Sequence, residues 1–173
     1  AKCIKVGGEV DLIKASLRLT ETAVQFMEDR LVPGITEAEL WSHLHRVLIA
    51  GGGEYIETRL LTSGPHTNPW LQETSERVIQ AGDLVAFDTD AVGCYGYYSD
   101  FSRTFLCGDG AASPQQRDLY RLAREQLEFN FELLRPGLSF REFAEKAWPI
   151  PARFQKNRYL SVLHGCGMTG EYP

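Results

Sequence analysis

The sequence lacks the features that mark nucleic-acid-binding and membrane-spanning proteins. Its 173 residues include 18 lysines and arginines against 23 aspartates and glutamates, which gives a net charge of −5. The basic residues form no cluster interleaved with aromatics, so the chain presents no positive field to a phosphate backbone. No run of about eighteen apolar residues is present to span a bilayer, and the first residues lack the apolar core of a signal peptide. We therefore expect a cytoplasmic protein that binds neither nucleic acid nor membrane.

The four cysteines are too few and too scattered to form a disulfide framework. No two of them have Cys-x-x-Cys spacing, and the 43% of hydrophobic residues supply a core that needs no covalent cross-links. Reduced thiols agree with a cytoplasmic location. The length and composition fit one ordinary globular domain.

Hydrophobic periodicity and turn signals predict a chain of mixed helices and strands. Thr36 and Glu39 have the spacing of a capping box, and Ser113 followed by Pro114 has the pattern of another helix start. The predicted helices cover residues 9–31, 36–53, 113–135 and 138–148, and the predicted strands cover residues 54–64, 83–92, 95–108 and 157–165.

A weak internal repeat divides the chain into two related parts. The segment "LVPGITEAEL" at 31–40 matches "LRPGLSFREF" at 134–143 in its Pro-Gly turn, its Thr/Ser cap and the glutamate three residues later. We expect an α+β fold with two related halves, at about 9–110 and 111–173, the second of them incomplete. Their strands would join in one sheet with helices on one face.

Three aspartates surround a predicted turn in "FDTDAVGCYGYYSDFSRTF". A simple hairpin centred on Cys94 would make Asp88 and Asp100 cross-strand neighbours, with Asp90 on the same face. Like charges at such positions destabilise a sheet unless a positive group lies between them. A divalent cation would satisfy this requirement. The alternative is a hydrated turn in which Arg103 neutralises one aspartate.

His164 is a candidate for a nitrogen ligand at the same site. It ends an apolar segment and precedes the glycine-rich "GCGMTGEYP". A site of oxygen ligands alone suits magnesium, calcium or manganese, whereas an added imidazole favours manganese, iron, cobalt or zinc. The alternative is that His164 is a hydrogen-bonded structural residue.

Two motifs together resemble the pita-bread metallopeptidase superfamily, which includes Xaa-Pro aminopeptidase, prolidase and creatinase. They are the aspartate hairpin ending in Ser-Asp-Phe-Ser-Arg-Thr and the "LHGCGM" that contains His164. The resemblance implies a pita-bread fold and a dinuclear metal centre with Asp88, Asp100 and His164 as ligands. Two glutamate ligands normally follow on later strands in this family. We therefore expect the chain to be a fragment that holds only part of the metal site.

Further residues resemble the dimethylsulfoniopropionate lyase branch (the DddP type) of that superfamily. Asp90 stands where the peptidases usually have glycine, and Trp70 stands where they usually have a catalytic histidine. The resemblance implies a homodimer, described with iron, that splits a small-molecule substrate into dimethyl sulfide and acrylate. Trp70 and Tyr159 would hold the sulfonium cation by cation–π attraction.

The general base is the part of this resemblance that the sequence does not match. The lyases imply an aspartate six residues after the metal-ligating histidine, and this chain has Gly170 there. The neighbouring Glu171 is the substitute that the sequence offers.

Two other functions remain open at this point. The first is a metallohydrolase that cleaves a peptide bond before proline, with Trp70 closing the pocket. The second is a non-catalytic relative that keeps the fold. For Trp70 and Tyr159 themselves, the alternative to a substrate-binding role is ordinary core packing.

Overall fold

The computed structural model describes residues 4–159 and 161–171, apart from the side chain of Glu171. Residues 4–110 and 165–171 belong to one compact unit, and the described residues of 111–164 belong to a second. No helix in the described part of the chain is long and apolar enough to cross a bilayer.

Two helices open the first unit, α1 (Gly7–Glu28) and α2 (Glu37–Ala50). The capping box predicted at the start of α2 is present. The Thr36 hydroxyl accepts a hydrogen bond from the Glu39 backbone N–H at 3.1 Å, and the Glu39 carboxylate accepts from the Thr36 N–H at 3.0 Å. Because α2 begins at this fixed point, Glu37 lies in its first turn with its carboxylate buried.

The strands of the first unit form two small antiparallel sheets and a two-stranded ribbon. Their bounds are β1 (Tyr55–Ile56), β2 (Leu61–Ser63), β3 (Leu84–Asp88), β4 (Ala91–Val92), β5 (Tyr98–Ser99), β6 (Ser102–Leu106), β7 (Gly165–Cys166) and β8 (Gly170–Glu171). One sheet has the order β2-β3-β6 and the other has the order β1-β4-β5, while β7 pairs with β8. The strands predicted at 54–64, 83–92 and 95–108 are therefore each divided between the two three-stranded sheets.

The core lies between the two helices and these sheets. Helices α1 and α2 pack on each other, α1 also packs on β5, and α2 packs on β2. Gly93 lies so close to α1 that an added Cβ would be 2.2 Å from the Ser16 Oγ, so a side chain does not fit there. The buried apolar cluster consists of Ala23, Val24, Met27, Leu40, Trp41, Leu44, Leu48, Leu61, Ile79, Val85, Phe87, Ala91 and Cys107.

The second unit contains α3 (Pro114–Leu133), α4 (Phe140–Lys146) and a 3₁₀ segment at Ala152–Asn157. The Ser113 hydroxyl accepts from the Gln116 N–H at 3.2 Å, which confirms the predicted start of α3. The strand predicted at 157–165 is wrong, because the described residues between Asn157 and Gly165 are irregular. A strand requires a hydrogen-bonded neighbour, and no strand lies among the described residues of 111–164.

The order of elements confirms an α+β protein, whereas the pairing of two halves in one sheet stays a prediction. Residues 165–171 belong to the first unit and not to the unit of α3 and α4. There the Tyr98 N–H donates to the Gly167 carbonyl at 2.8 Å, so the loop of the β7–β8 ribbon is bound to β5.

We predict that Leu44→Ala lowers the free energy of unfolding by about 2 to 5 kcal/mol, because the Leu44 side chain on α2 is fully buried in the apolar cluster. Urea unfolding measures the change. Ile49→Ala in the same helix is the matched control, since the Ile49 side chain is 43% exposed, and it should cost about 1 kcal/mol or less. Equal losses in the two variants would show that the core is not where the structure has it.

Candidate metal centre

The candidate site lies at a break in the hairpin that carries the three aspartates. The β3–β6 ladder pairs Asp88 with Ser102, and the β4–β5 ladder pairs Ala91 with Ser99. Both pairings centre the hairpin on Tyr95 rather than Cys94, so the predicted pairing of Asp88 with Asp100 is wrong. Asp90 and Asp100 are instead equidistant from Tyr95, and both lie in the gap between the two ladders.

The break nevertheless brings all three carboxylates together. One oxygen from each of Asp88, Asp90 and Asp100 lies within 4.8 Å of the other two, and all three side chains are half-buried. Asp90 has a φ of 29°, a backbone conformation that non-glycine residues rarely adopt. This local turn of the backbone ends the β3 ladder and separates β3 from β4.

Thr89 replaces the missing ladder hydrogen bonds at the break. Its buried hydroxyl accepts from the Phe101 N–H at 3.1 Å. The same hydroxyl lies 3.1 Å from the Ser99 carbonyl and 3.2 Å from the Phe101 carbonyl, and its single proton is donated to these acceptors. The two strands therefore stay joined across the gap that contains Asp90 and Asp100.

Hydroxyl and amide donors hold two of the carboxylates individually. Asp88 Oδ1 accepts from the Ser102 hydroxyl at 2.9 Å and from the Thr89 N–H at 3.1 Å. Asp90 Oδ2 accepts from the Thr58 hydroxyl at 2.7 Å. Ser102 and Thr58 are neutral, so these contacts orient the aspartates without cancelling their charge.

Three carboxylates at this spacing fit a divalent cation. Negative charges less than 5 Å apart in a half-buried site repel one another, and a cation between them converts the repulsion into attraction. Their donor atoms are all oxygen, which suits magnesium, calcium or manganese when no other ligand is added. The residues present therefore fit a divalent cation, as the sequence predicts.

The alternative prediction, in which Arg103 neutralises an aspartate, finds no support in the structure. The Arg103 guanidinium lies over the Phe101 ring, 4.7 Å from its centroid, and donates to the Ser102 carbonyl at 2.8 Å. Within residues 4–159 and 161–171, no ion pair joins Arg103 to Asp88, Asp90 or Asp100.

The predicted nitrogen ligand, His164, is half-buried and directly precedes β7. It belongs to the second unit, whereas Gly165 and the ribbon that follows belong to the unit of the aspartates. His164 as a metal ligand therefore stays a prediction.

Trp70 lies on a loop that is fixed by a buried carboxylate in the same unit. The Glu37 side chain is fully buried and accepts four hydrogen bonds from the N–H and hydroxyl groups of Ser63 and Ser75. The ring Nδ1 of His66 lies 3.0 Å from the same carboxylate. Gln72 then bridges the loop by donating to the carbonyls of His66 and Pro69.

The surroundings of Glu37 keep it ionised. Burial by itself raises the pKa of a carboxyl group, but the hydrogen bonds from Ser75, Ser63 and His66 outweigh it and hold the pKa of Glu37 below its usual 4.5. A charged acceptor at this point satisfies several donors at once, so the loop between β2 and β3 is tied to α2. Trp70 is half-buried on that loop.

The remaining predicted site residues are Tyr159, Gly170 and Glu171. Tyr159 is 47% exposed and borders an open cavity of about 610 Å³ lined by α3, α4 and residues within 147–159 and 161–162. Gly170 lies in β8 opposite Cys166 and is exposed. The backbone of Glu171 is in the same strand, but the side chain that was predicted as base lies outside the described residues.

Sequence reasoning missed the hydroxyl groups that organise the site. Threonine is common in strands, so Thr58 and Thr89 do not stand out in the sequence as site residues. Glu37 stands out only as the residue that follows the Thr36 helix cap. Two signals could have pointed to these residues. Thr89 is a polar residue between two aspartates at the end of an apolar strand, and Glu37 lies on the buried side of α2.

Known proteins resemble this chain in sequence over nearly its whole length. Residues 11–172 match the model of metallopeptidase family M24. The chain is 37% identical to the dimethylsulfoniopropionate lyase DddP of Roseovarius nubinhibens, over 99% of this chain and 40% of that protein. It is 25% identical to the Xaa-Pro dipeptidase of Pyrococcus furiosus, over 96% of this chain and 48% of the relative. The chain therefore spans less than half the length of the curated relatives it matches.

The fold of this chain is also found in solved structures. The prolidase of Pyrococcus horikoshii superimposes with a TM-score of 0.86 at 25% identity, over 99% of this chain and 50% of that one. The chain therefore has the fold of one half of a prolidase.

We predict that Glu37→Gln lowers the free energy of unfolding by about 2 to 4 kcal/mol near pH 7, because the amide NH₂ faces donors that the carboxylate now accepts from. Urea unfolding of this variant and of the exposed control Glu21→Gln measures the loss. The folded-state pKa of Glu37 is lowered, so its contribution is complete above pH 4.5 and disappears as the pH falls below that value. The difference from wild type should shrink on acidification, and a constant difference would contradict the assignment.

We predict that Asp100→Asn in the full-length protein abolishes divalent metal binding at this site, because it removes one of three converging negative charges. Metal content after dialysis, measured by elemental analysis, tests this. Asp109→Asn, an exposed aspartate outside the cluster, is the control and should bind metal like the wild type. Unchanged metal content in Asp100→Asn would refute the site.

Proposed function

The chain belongs to metallopeptidase family M24, and from that premise we propose that the complete protein is a metal-dependent lyase that splits dimethylsulfoniopropionate into dimethyl sulfide and acrylate. The observation that carries the proposal is Asp90, which lies beside Asp88 and Asp100 as a third carboxylate. Identity supports the same choice, at 37% to a lyase against 25% to a dipeptidase.

The proposed ligands in this chain are Asp88, Asp90, Asp100 and His164, and the rest of a two-metal site would come from outside it. Iron is the favoured metal, with manganese and zinc as alternatives, because an imidazole joins the carboxylates. When bound, the metal would hold and polarise the carboxylate end of the substrate. The residues of this chain then have to bind the sulfonium end and remove one proton.

The aromatic side chains suit the sulfonium end. A sulfonium is a permanent cation that has no proton to donate in a hydrogen bond. The face of an aromatic ring therefore attracts it more effectively than a neutral hydrogen-bond acceptor does. Trp70 and Tyr159 are the rings we assign to this role. The tied loop between β2 and β3 supports it for Trp70, since Glu37, His66 and Gln72 hold the loop in one conformation.

The reaction is an elimination that needs one base. The base takes the proton on the carbon next to the carboxylate, the C–H electron pair becomes the second bond of acrylate, and the C–S bond breaks with its electrons on sulfur. Gly170 at the expected base position has no side chain, so we assign the base to the adjacent Glu171.

The finer architecture that we propose is a pita-bread fold of two pseudo-twofold halves in a cytoplasmic homodimer.

A second candidate is an Xaa-Pro dipeptidase or aminopeptidase. The superposition on prolidase and the shared aspartate hairpin favour it. In that case a bound metal would activate water for the hydrolysis of the peptide bond, and Trp70 would close the pocket. A non-catalytic relative would keep the fold without either reaction.

One experiment separates the three. Metal content and dimethyl sulfide release are measured on the same preparation of the full-length protein, purified under reducing conditions, with Asp100→Asn as the control. About two transition-metal ions per chain with dimethyl sulfide released, both lost in the control, is the expected result. Metal with cleavage of Xaa-Pro dipeptides and without dimethyl sulfide would establish the hydrolase. A protein with neither bound metal nor either activity would be the non-catalytic relative.

A further inference from the structure

Thr58 makes the one side-chain hydrogen bond that the described structure gives to Asp90. Its hydroxyl donates to Asp90 Oδ2 at 2.7 Å, and the contact is partly buried. Thr58 follows β1 and precedes β2, so it comes from a different segment than the aspartate hairpin. The bond therefore joins one carboxylate of the cluster to an independent part of the fold.

Asp90 needs such a contact more than an ordinary aspartate does. Its φ of 29° lies in the region that favours glycine, so the backbone at this residue is strained. Its carboxylate also lies within 4.8 Å of those of Asp88 and Asp100, which repel it. Without a donor, rotation about χ1 would carry the carboxylate away from the other two.

We propose that Thr58 is a positioning residue that fixes Asp90 as the third carboxylate of the metal centre; this inference rests on the proposed function. A hydroxyl that donates to Oδ2 leaves Oδ1 of Asp90 as the ligand atom and sets the plane of the carboxylate. Thr58 is neutral and adds no charge that would compete with the cation. It acts through Asp90 and contacts neither metal nor substrate.

The backbone already holds the two segments together without this hydroxyl. The Glu57 N–H donates to the Asp90 carbonyl at 3.1 Å, and the Glu54 N–H donates to the Val92 carbonyl at 2.9 Å. The β1–β4 pairing continues the same contact. Removing the Thr58 hydroxyl should therefore change the orientation of one carboxylate and leave the docking of the segments intact.

The test is a titration of the metal-free full-length protein with Mn²⁺, in which free Mn²⁺ is measured by electron paramagnetic resonance. Thr58→Val keeps the branched shape and removes the hydroxyl, and we expect it to weaken Mn²⁺ binding about 10- to 100-fold. Thr58→Ser keeps a hydroxyl and should bind like the wild type. Thr22→Val, on the exposed face of α1, is the matched control and should also have no effect.

The same substitution in the Asp90→Gly background shows whether the effect passes through Asp90. Glycine suits the φ at this position and is the residue that the metal-binding peptidases usually have there, so Asp90→Gly should still bind Mn²⁺ measurably. With no carboxylate at position 90, the loss caused by Thr58→Val should fall to about twofold or less. An equal loss in both backgrounds would show a general structural role and overturn the proposal. If Thr58→Val does not fold, judged by circular dichroism, Thr58→Ala replaces it in both backgrounds.

The outcomes also separate this inference from the proposed function. A wild-type protein that binds Mn²⁺ while Thr58→Val binds it equally well overturns the role of Thr58 and leaves the metal centre standing. A wild-type protein that binds no Mn²⁺ overturns both. Weak binding in Thr58→Val with recovery in Thr58→Ser, together with no dimethyl sulfide from the wild type, would support Thr58 and reject the lyase.

Discussion

The mutual repulsion of three carboxylates is the constraint on which the rest of this structure depends. Asp88, Asp90 and Asp100 have oxygens within 4.8 Å of one another on a half-buried part of the sheet. In a hairpin centred on Tyr95, Asp90 and Asp100 are opposite each other, and Asp88, two residues from Asp90, shares their face. The chain interrupts the ladder at this point, and neutral donors orient the side chains of Asp88 and Asp90. The repulsion remains for a cation to cancel.

Hydroxyl groups join elements here where a backbone ladder would otherwise do so. Thr89 bridges the gap between two ladders, and Thr58 connects the segment between β1 and β2 to Asp90. Around Glu37 the hydroxyls of Ser63 and Ser75 have a similar function, and the pKa of that carboxyl group is lowered because their hydrogen bonds outweigh its burial. Each of these groups is satisfied internally, so its burial costs little. The three aspartates and the Trp70 loop both belong to the first compact unit.

Asp90 connects the fold to the choice between lyase and peptidase. A glycine would fit its φ without strain, which agrees with the glycine that the peptidases usually have there. An aspartate at this position costs backbone strain and adds repulsion, and both costs are explained if the third carboxylate serves a ligand. Trp70, on the loop tied to Glu37, supplies an aromatic face suited to a cation. These two residues carry the proposal that the metal centre acts on a sulfonium substrate.

The sequence by itself determined the helix starts, the α+β class and the set of aspartates, because capping boxes and apolar periodicity depend on residues a few positions apart. Thr36 and Glu39 are an example. Only the tertiary structure decided the register of the hairpin, its centre at Tyr95 and the partners of each carboxylate. The positive φ of Asp90 interrupts the ladder and the Thr89 hydroxyl bridges the gap, and no local sequence pattern predicts either. The strand predicted at 157–165 failed for the same reason, since strand pairing depends on a neighbour that is distant along the chain.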